Sequence, residues 1–327
     1  MTTGDGERQS TQVTMRDDLL EPYLSPDQRE AEVAALAGAL SGELRQYGQS
    51  VEGRALQVVR VPARGGEARA RVLVTANIHG VELIGGFVAL HLLRSLQRPE
   101  GHLEQLARDV EIWIAPCLNP DGYARTWEQR GQGRLVELRT NANGVDLNRN
   151  FPLPTGAKRS RLPFTGSNKK GDATYRGEGP LSEPESASLA ALLDEVPFAA
   201  SVNLHSTMGT LIPARCTDLA DYESYAQLCR EFRSEQRSWR YVRLASRYVD
   251  AFTGELEDFQ HHRFGTWAVC VEVFPILASL RQHLFAPSTF WRFNPREPMR
   301  WAENDAPGVA RFLLAAVERG PPGAPVG

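Results

Sequence analysis

The stretch Ala70-Arg-Val-Leu-Val-Thr-Ala-Asn-Ile-His-Gly-Val-Glu82 joins a predicted strand to a predicted helix through two residues that suit a metal ion. The apolar run at 70–76 predicts a buried strand, and apolar residues at helical spacing over 81–96 predict a helix. His79 follows the strand and Glu82 lies in the first helical turn. Because side chains three residues apart on a helix can point the same way, one cation could contact both.

The rest of the chain alternates strands with helices. Further strands are predicted at 55–61, 110–115, 198–204 and 267–273, and further helices at 26–46, with Ser25 as N-cap, 183–195, 221–234 and 307–318. This order predicts an α/β fold whose sheet is covered by helices. The turn Pro62-Ala-Arg-Gly-Gly66 predicts a hairpin between the strands on either side of it.

Composition narrows the classes of partner. The 327 residues carry a net charge of −3, with 24% charged residues, so there is no basic footprint for nucleic acid or for a membrane surface. The four cysteines have no CxxC spacing, which favours reduced thiols. The first residues are polar rather than signal-like, and no apolar run is long enough to span a membrane. We therefore expect a cytoplasmic protein that acts on a small or peptide partner; the sequence does not indicate its oligomeric state.

Three segments are predicted from composition and periodicity. Residues 1–25 form a flexible leader, residues 26–318 form the folded body, and residues 319–327, rich in proline and glycine, form a disordered tail.

A second imidazole follows another predicted strand. His205 ends the strand at 198–204, and ligands of open α/β sheets gather at the carboxyl ends of strands. Two imidazoles and a carboxylate suit a catalytic zinc ion, which keeps a fourth position for water. On its own the HxxE pattern is weak evidence, and a lone His205 is more often a hydrogen-bonded core residue. The other parts of a zinc hydrolase are what favour the metal.

Those parts occur in order along the chain. Asp146 offers a carboxylate that could orient a metal-bound imidazole, and Arg139 and Arg149 offer planar forks for a carboxylate, although the Asn-Ala-Asn-Gly run among them could be only a turn. Glu272 lies in the apolar stretch Trp267-Ala-Val-Cys-Val-Glu-Val273, where a charge is costly unless it is used. It is a candidate general base, and the alternative is a solvent-facing glutamate on an edge strand.

Together these segments resemble the zinc carboxypeptidases of the carboxypeptidase A type, from about Tyr47 to Phe312. The motifs that carry the resemblance are Gly48-Gln-Ser-Val-Glu-Gly-Arg54, His79-Gly-Val-Glu82, Asn119-Pro-Asp-Gly-Tyr123, Gly144-Val-Asp-Leu-Asn-Arg-Asn150, Ser182-Glu-Pro-Glu185, His205-Ser206 and Glu272. The resemblance implies a single α/β domain with a mixed eight-stranded sheet flanked by helices, and one bound Zn²⁺ ion.

The resemblance also implies roles by position. His79, Glu82 and His205 match the zinc ligands, and Glu272 matches the catalytic glutamate. Asp146 matches the partner of the first zinc histidine. Arg139 matches the arginine that polarises the scissile carbonyl, and Asn148 and Arg149 match the pair that grips the terminal carboxylate of the substrate.

Two positions depart from the family pattern. Tyr248 is the nearest candidate for the flexible active-site tyrosine, but a small insertion is needed to align it. Counting back from Glu272 places Glu257 at the floor of the side-chain pocket, where an acid would favour a basic or diaminopimelate-like terminal residue. The alternative is that Glu257 lies on the surface of a helix.

The sequence therefore predicts a zinc metallocarboxypeptidase, a hydrolase of the peptide bond next to a free C-terminal carboxylate. The stretch at 138–152 is also similar to murein-peptide amidases, which cleave a γ-glutamyl-diaminopimelate bond in cell-wall peptides. Two further alternatives are an aspartoacylase-type deacylase, which the motifs at 119–123 and 182–185 disfavour, and an inactive peptide-binding module, which retention of all three ligands and Glu272 disfavours.

Overall fold

A computed structural model describes residues 17–159, 165–216, 218–245 and 252–323. Its strands are β1 (Glu43–Gln49), β2 (Ala55–Val61), β3 (Ala70–Ala76), β4 (Val110–Ala115), β5 (Ala200–Ser206), β6 (Thr210–Pro213), β7 (Val242–Arg243) and β8 (Trp267–Val273). Its helices are α1 (Pro26–Ala39), α2 (Leu83–Ser95), α3 (Gly101–Asp109), α4 (Pro120–Glu128), α5 (Leu135–Arg139), α6 (Pro184–Glu195), α7 (Leu219–Glu235), α8 (Leu256–Phe264), α9 (Leu280–Leu284), α10 (Phe290–Phe293) and α11 (Pro298–Arg319). Short 3-10 helices lie at Asp17–Leu20, Leu147–Arg149 and Ile276–Ser279.

All of these strands form one mixed sheet in the order β1-β2-β4-β3-β5-β8-β6-β7. The centre is parallel, since β3 pairs with β4 and β5, and β5 pairs with β8. Antiparallel pairs flank this centre at β1–β2, β2–β4 and β6–β8. The expected single α/β architecture with an eight-stranded mixed sheet is confirmed.

Helices cover the sheet on both faces, as the apolar runs predict. Successive residues of β3 point to opposite faces, so that Val72 and Val74 belong to one apolar cluster and Leu73 to the other. The larger cluster includes side chains of α2, α7 and α11, and the smaller one includes side chains of α6 and α8. A strand that is buried on both faces needs apolar residues throughout, which is why β3 does not alternate with polar residues.

The first helix starts where the sequence places it and ends earlier. The Ser25 hydroxyl accepts from the Gln28 amide, and the Gln28 side chain accepts from the Ser25 amide, which forms a capping box. The helix predicted over 26–46 stops at Ala39, because Gly42 packs against the backbone of β2 and residues from Glu43 pair with that strand as β1. The prediction was wrong for 40–46.

The predicted hairpin is also wrong. The strands β2 and β3 follow one another in the chain, but β4 lies between them and pairs with both, antiparallel to β2 and parallel to β3. Parallel pairing with β4 gives β3 a fully buried position, which its apolar run favours over an exposed hairpin.

Part of the predicted leader belongs to the packed body. Leu20 and Tyr23 are both buried, and the Tyr23 hydroxyl donates to the carbonyl oxygen of Pro295 at 2.8 Å. The flexible leader predicted over 1–25 is therefore wrong for its last residues, because these two apolar side chains find a place in the core. Residues 1–16 lie outside the described residues, as do the last four residues of the predicted tail, 324–327.

The fold brings the carboxyl ends of three neighbouring strands to one edge. His79 follows β3, and His205 is the next-to-last residue of β5. Glu272 lies directly opposite His205 on β8. Polar side chains from distant parts of the chain thus meet at the edge where parallel strands end. In the described part of the chain, no helix has the length and apolar character needed to cross a membrane.

Helix α2 can approach β5 only because residue 85 is glycine. A Cβ atom added to Gly85 would lie 2.7 Å from the carbonyl oxygen of Leu204. We expect Gly85→Ala to lower the free energy of unfolding by about 1–3 kcal/mol, because the helix must move away from the strand. Chemical denaturation measures the change.

Gly38→Ala is the matched control. Gly38 lies in α1, is exposed and has nothing within 4 Å of an added Cβ. There the same substitution should raise the free energy of unfolding by up to about 1 kcal/mol, since alanine is the better helix former. Equal effects at the two positions would contradict the packing explanation for Gly85.

Candidate active site

Three buried side chains converge at the carboxyl edge of the sheet. Nδ1 of His79 lies 2.9 Å from Oε1 of Glu82, and Nδ1 of His205 lies 3.3 Å from Oε2 of the same carboxylate. The two imidazole rings are 4.9 Å apart between centroids. One ligand atom from each residue falls within 4.8 Å of the others. The structure therefore brings together the three residues that the sequence singles out as metal ligands.

The electrostatics of this trio favour an ionised carboxylate. Burial alone would raise the pKa of the Glu82 carboxyl, but the facing imidazoles of His79 and His205 outweigh burial and hold that pKa below its ordinary value. The backbone amide of Ser206 also donates to Glu82 Oε2 at 3.1 Å. The carboxylate is thus charged and accepts hydrogen bonds on the side where the imidazoles lie.

Asp146 links the first imidazole to an arginine. Its Oδ1 lies 3.0 Å from Nε2 of His79, and its Oδ2 accepts from both Nε (3.1 Å) and Nη2 (2.9 Å) of Arg139. Burial opposes its charge, but Arg139, His79 and Arg149 lower the pKa of Asp146 below the ordinary range. Asp146 therefore fixes the orientation of the His79 ring. It does not bond Nη1 of Arg139, which makes a long contact of 3.5 Å with Glu82.

Glu272 is held at the same edge without a hydrogen-bond partner for Oε2 among the described residues. Burial and the neighbouring Glu82 charge raise its pKa to about 7, against the opposing influence of His205 and Arg139. A carboxyl with a pKa near neutrality can both accept and return a proton at the pH of the cell. The edge-strand alternative for Glu272 is wrong, because β8 lies between β5 and β6.

Asn148 and Arg149 lie on the short 3-10 helix that follows Asp146. The Asn148 side-chain oxygen accepts from the backbone amide of Leu256 at 2.9 Å, which joins this turn to the start of α8. Nη1 of Arg149 donates to the Asn148 carbonyl at 2.6 Å and lies 3.2 Å from Oε1 of Glu255. Its Nε is buried with no hydrogen-bond partner within the described ranges.

Glu257 lies inside the protein. Only 2% of its surface is exposed, so the surface-helix alternative is wrong. Burial, Glu255 and Asp258 raise its pKa well above the ordinary value, while Arg149 opposes that rise. Its Oε2 has no hydrogen-bond partner among the described residues. Tyr248, the candidate for the flexible active-site tyrosine, lies outside the described residues.

The sequence does not identify two charged residues of this region, Glu255 and Arg215, as parts of the site. Oε2 of Glu255 lies 3.7 Å from Nη2 of Arg215, so Glu255 faces both Arg149 and Arg215. The backbone amide of Arg215 donates to Oδ1 of Asp258 at 2.8 Å. Glu255 could have been suspected, because it stands in the same acidic run as Glu257. Nothing in the sequence indicates that Arg215, which follows β6, comes close to them.

The converging residues suit zinc. Imidazole nitrogen and carboxylate oxygen are both ligands that zinc takes, and three protein ligands are the usual number for a catalytic ion. In metal sites the second ring nitrogen of a ligating histidine commonly bonds a carboxylate, as Nε2 of His79 does with Asp146. His79, Glu82 and His205 could therefore hold such an ion.

Comparison with known proteins points to one family. The family model for zinc carboxypeptidases matches residues 34–285. Human carboxypeptidase D is 24% identical over 307 residues, which cover 84% of this chain and 20% of that protein. The catalytic chain of human carboxypeptidase N is 35% identical over 176 residues, 48% of this chain and 36% of that one. The chain thus spans well under two thirds of the length of these relatives.

Solved structures show the same fold. Bovine thrombin-activatable fibrinolysis inhibitor, solved in complex with a tick carboxypeptidase inhibitor, superposes with a TM-score of 0.72 at 20% identity. The superposition covers 91% of this chain and 98% of that one. At this identity the likeness concerns the fold alone.

The buried Glu257 carboxyl should make stability depend on pH. Because its folded pKa is raised above the ordinary 4.5, its protonated form is favoured on folding, and that contribution to the free energy of unfolding is lost as pH rises above this value. We expect Glu257→Gln to remove this loss, so that the variant gains stability relative to the wild type at higher pH. Thermal unfolding across the pH range measures it.

Glu223→Gln is the matched control, since Glu223 is exposed on α7. It should change the free energy of unfolding by no more than about 0.5 kcal/mol at any pH. Parallel pH curves for the wild type and Glu257→Gln would contradict the raised pKa of the buried Glu257 carboxyl.

Proposed function

The chain belongs to the zinc carboxypeptidase family, and on that premise we propose that it hydrolyses the peptide bond next to a free C-terminal carboxylate, with one zinc ion held by His79, Glu82 and His205. The observation that carries the proposal is the convergence of these three side chains with Glu272 and Arg139 at one edge of the sheet. The family match favours this reading over the aspartoacylase-type deacylase.

A zinc ion bound there would act as a Lewis acid for the scissile carbonyl and lower the pKa of an attacking water. His79 and His205 would each supply a ring nitrogen, and Glu82 would supply a negative charge that offsets part of the charge of the cation. The hydrogen bond that Nε2 of His79 donates to Asp146 would keep the imidazole ring in one orientation. Each of these contacts exists in the folded chain before substrate binds.

Glu272 would act as the general base and then as the general acid. It would take a proton from water as the carbonyl is attacked and return the proton to the departing amine. The pKa of about 7 supports both halves of this cycle, because the ionised and protonated forms are then both accessible near neutrality. Its unpartnered Oε2 supports the same role, since no protein donor competes for it among the described residues.

Arg139 would stabilise the negative charge that develops on the carbonyl oxygen. Two of its nitrogens are held by Asp146, which orients the guanidinium without using Nη1. Because this donor is already oriented before the reaction, little reorganisation energy is needed when negative charge develops on the carbonyl oxygen.

Asn148 and Arg149 would hold the terminal carboxylate of the substrate. Glu255 already faces Arg149 at 3.2 Å, so an incoming carboxylate must share the guanidinium with it or displace it. A terminal residue that also carries a positive group can compensate Glu255 and favour ionisation of Glu257 while its carboxylate binds Arg149. This supports a preference for lysine, arginine or the amino end of diaminopimelate. A cytoplasmic location remains a prediction from the sequence.

Glu272→Gln tests the catalytic assignment. We expect kcat on a peptide substrate to fall by about 100- to 10,000-fold, because the amide cannot take up the proton. Zinc content, measured by mass spectrometry of the purified protein, should stay the same, since the metal ligands are untouched. Undiminished turnover would remove Glu272 from its role, and a wild type without peptidase activity would favour the inactive peptide-binding module.

Matched peptides ending in Lys, Phe and Glu test the pocket. We expect the Lys peptide to have the highest kcat/KM, and Glu257→Gln to lower it by about 10- to 100-fold through loss of a charge-assisted contact. The Phe peptide is the internal control and should change little. A wild-type preference for Phe would exclude the acidic pocket, whereas selective cleavage of a cell-wall tripeptide would favour the murein-peptide amidase alternative.

A further inference from the structure

A second cluster of side chains that can bind a metal ion shares no residue with the candidate active site. Cys216 follows β6, Asp221 lies in the first turn of α7, and His261 lies near the end of α8. One ligand atom from each falls within 4.8 Å of the others. The proposed mechanism uses none of these residues.

The distances in this cluster match the edges of a tetrahedral site. Nε2 of His261 lies 3.5 Å from Sγ of Cys216 and 3.5 Å from Oδ2 of Asp221. Zinc bonds sulfur at about 2.3 Å and nitrogen or oxygen at about 2.0 Å, so neighbouring tetrahedral ligands are about 3.3–3.6 Å apart. The single nitrogen thus faces a sulfur and an oxygen at the spacing that one ion requires.

The other nitrogen of His261 has the partner that a ligating histidine needs. Nδ1 lies 3.1 Å from the hydroxyl oxygen of Tyr225, which also accepts from the backbone amide of Ala268 at 3.0 Å. When Nδ1 carries the ring proton and donates it to Tyr225, the lone pair of Nε2 points toward Cys216 and Asp221.

The charges around Cys216 also favour a cation. Burial and the acids Asp221, Asp258 and Asp218 raise the pKa of its thiol above the ordinary value. The same acids would stabilise a divalent cation that replaces the thiol proton. Asp258 is 2% exposed and its Oδ2 has no partner among the described residues, while its Oδ1 accepts from the amide of Arg215, next to Cys216.

Asp221 is placed to complete the set. Its Oδ1 accepts from the backbone amide of Gly323 at 3.2 Å, which leaves Oδ2 directed to His261. The Asp221 side chain is 16% exposed, whereas that of His261 is 5% exposed. An ion could therefore reach the buried nitrogen and sulfur from the side of Asp221.

We propose that Cys216, Asp221 and His261 form a second site for zinc, or for another divalent cation that binds thiolate, distinct from the site at His79, Glu82 and His205. An ion there would link the loop after β6 to the first turn of α7 and to the second half of α8. Helix α8 also carries Glu257 and Asp258. The ion would therefore stabilise the position of the helix that lines the candidate substrate pocket. The role is structural, and the site stands whether or not the chain is a peptidase.

Cobalt substitution of the full-length protein separates the two sites. Of the two, only the proposed site contains a cysteine, so the cobalt protein should show a near-ultraviolet thiolate-to-cobalt charge-transfer band. The band should be lost in Cys216→Ser, weakened or shifted in Asp221→Asn, and kept in His79→Ala, which alters the other site. Cys270→Ser is the matched control, because Cys270 lies near His205 and Glu272 and is the other thiol close to a candidate metal ligand.

Zinc content gives the second readout. We expect two zinc ions per chain in the wild type and in Cys270→Ser, and one in Cys216→Ser. If Cys216→Ser does not fold, the wild-type and Cys270→Ser spectra and the change in Asp221→Asn decide the matter. One zinc per wild-type chain without a thiolate band would overturn the proposal, as would a band that disappears only in Cys270→Ser.

Discussion

Burial of charge at the carboxyl edge of the sheet is the constraint on which the candidate site depends. Glu82 and Asp146 are almost completely buried, and a buried carboxylate is costly unless cations or donors surround it. Here His79 lies between the two acids, and Arg139 contacts both. Removal of any one of these groups would leave a neighbour uncompensated, so the site folds as a unit.

The sheet explains how such distant residues can form that unit. His79, His205 and Glu272 follow or end three parallel strands that are neighbours in space, and a rigid backbone sets the separation of their side chains. Asp146 and Arg149 come from a loop, but the bonds from Asp146 to His79 and from Asn148 to the start of α8 fix that loop against the strands. The geometry for chemistry is therefore built before any substrate arrives.

Much of this could be predicted from local pattern and motif order. Mostly apolar runs predicted β4 and β8 with their bounds, because strands buried on both faces have a clear signal. The strand β1 was missed, since its burial is partial and a good helix precedes it. Pairing was the harder problem: no local pattern says that β4 lies between β2 and β3. Likewise, Arg215 comes to Glu255 only through the tertiary fold.

The ion pair between Arg149 and Glu255 affects which charged molecules can bind to this guanidinium. Biological fluids contain abundant small monoanions. A guanidinium without a neighbouring carboxylate would attract them. Glu255 lies 3.2 Å from that guanidinium, so its negative charge opposes the binding of a lone anion to Arg149. A molecule that brings a positive and a negative group together does not meet this obstacle. If the proposed substrate site is correct, this pair would favour a ligand that carries both a carboxylate and a positive group over a simple anion.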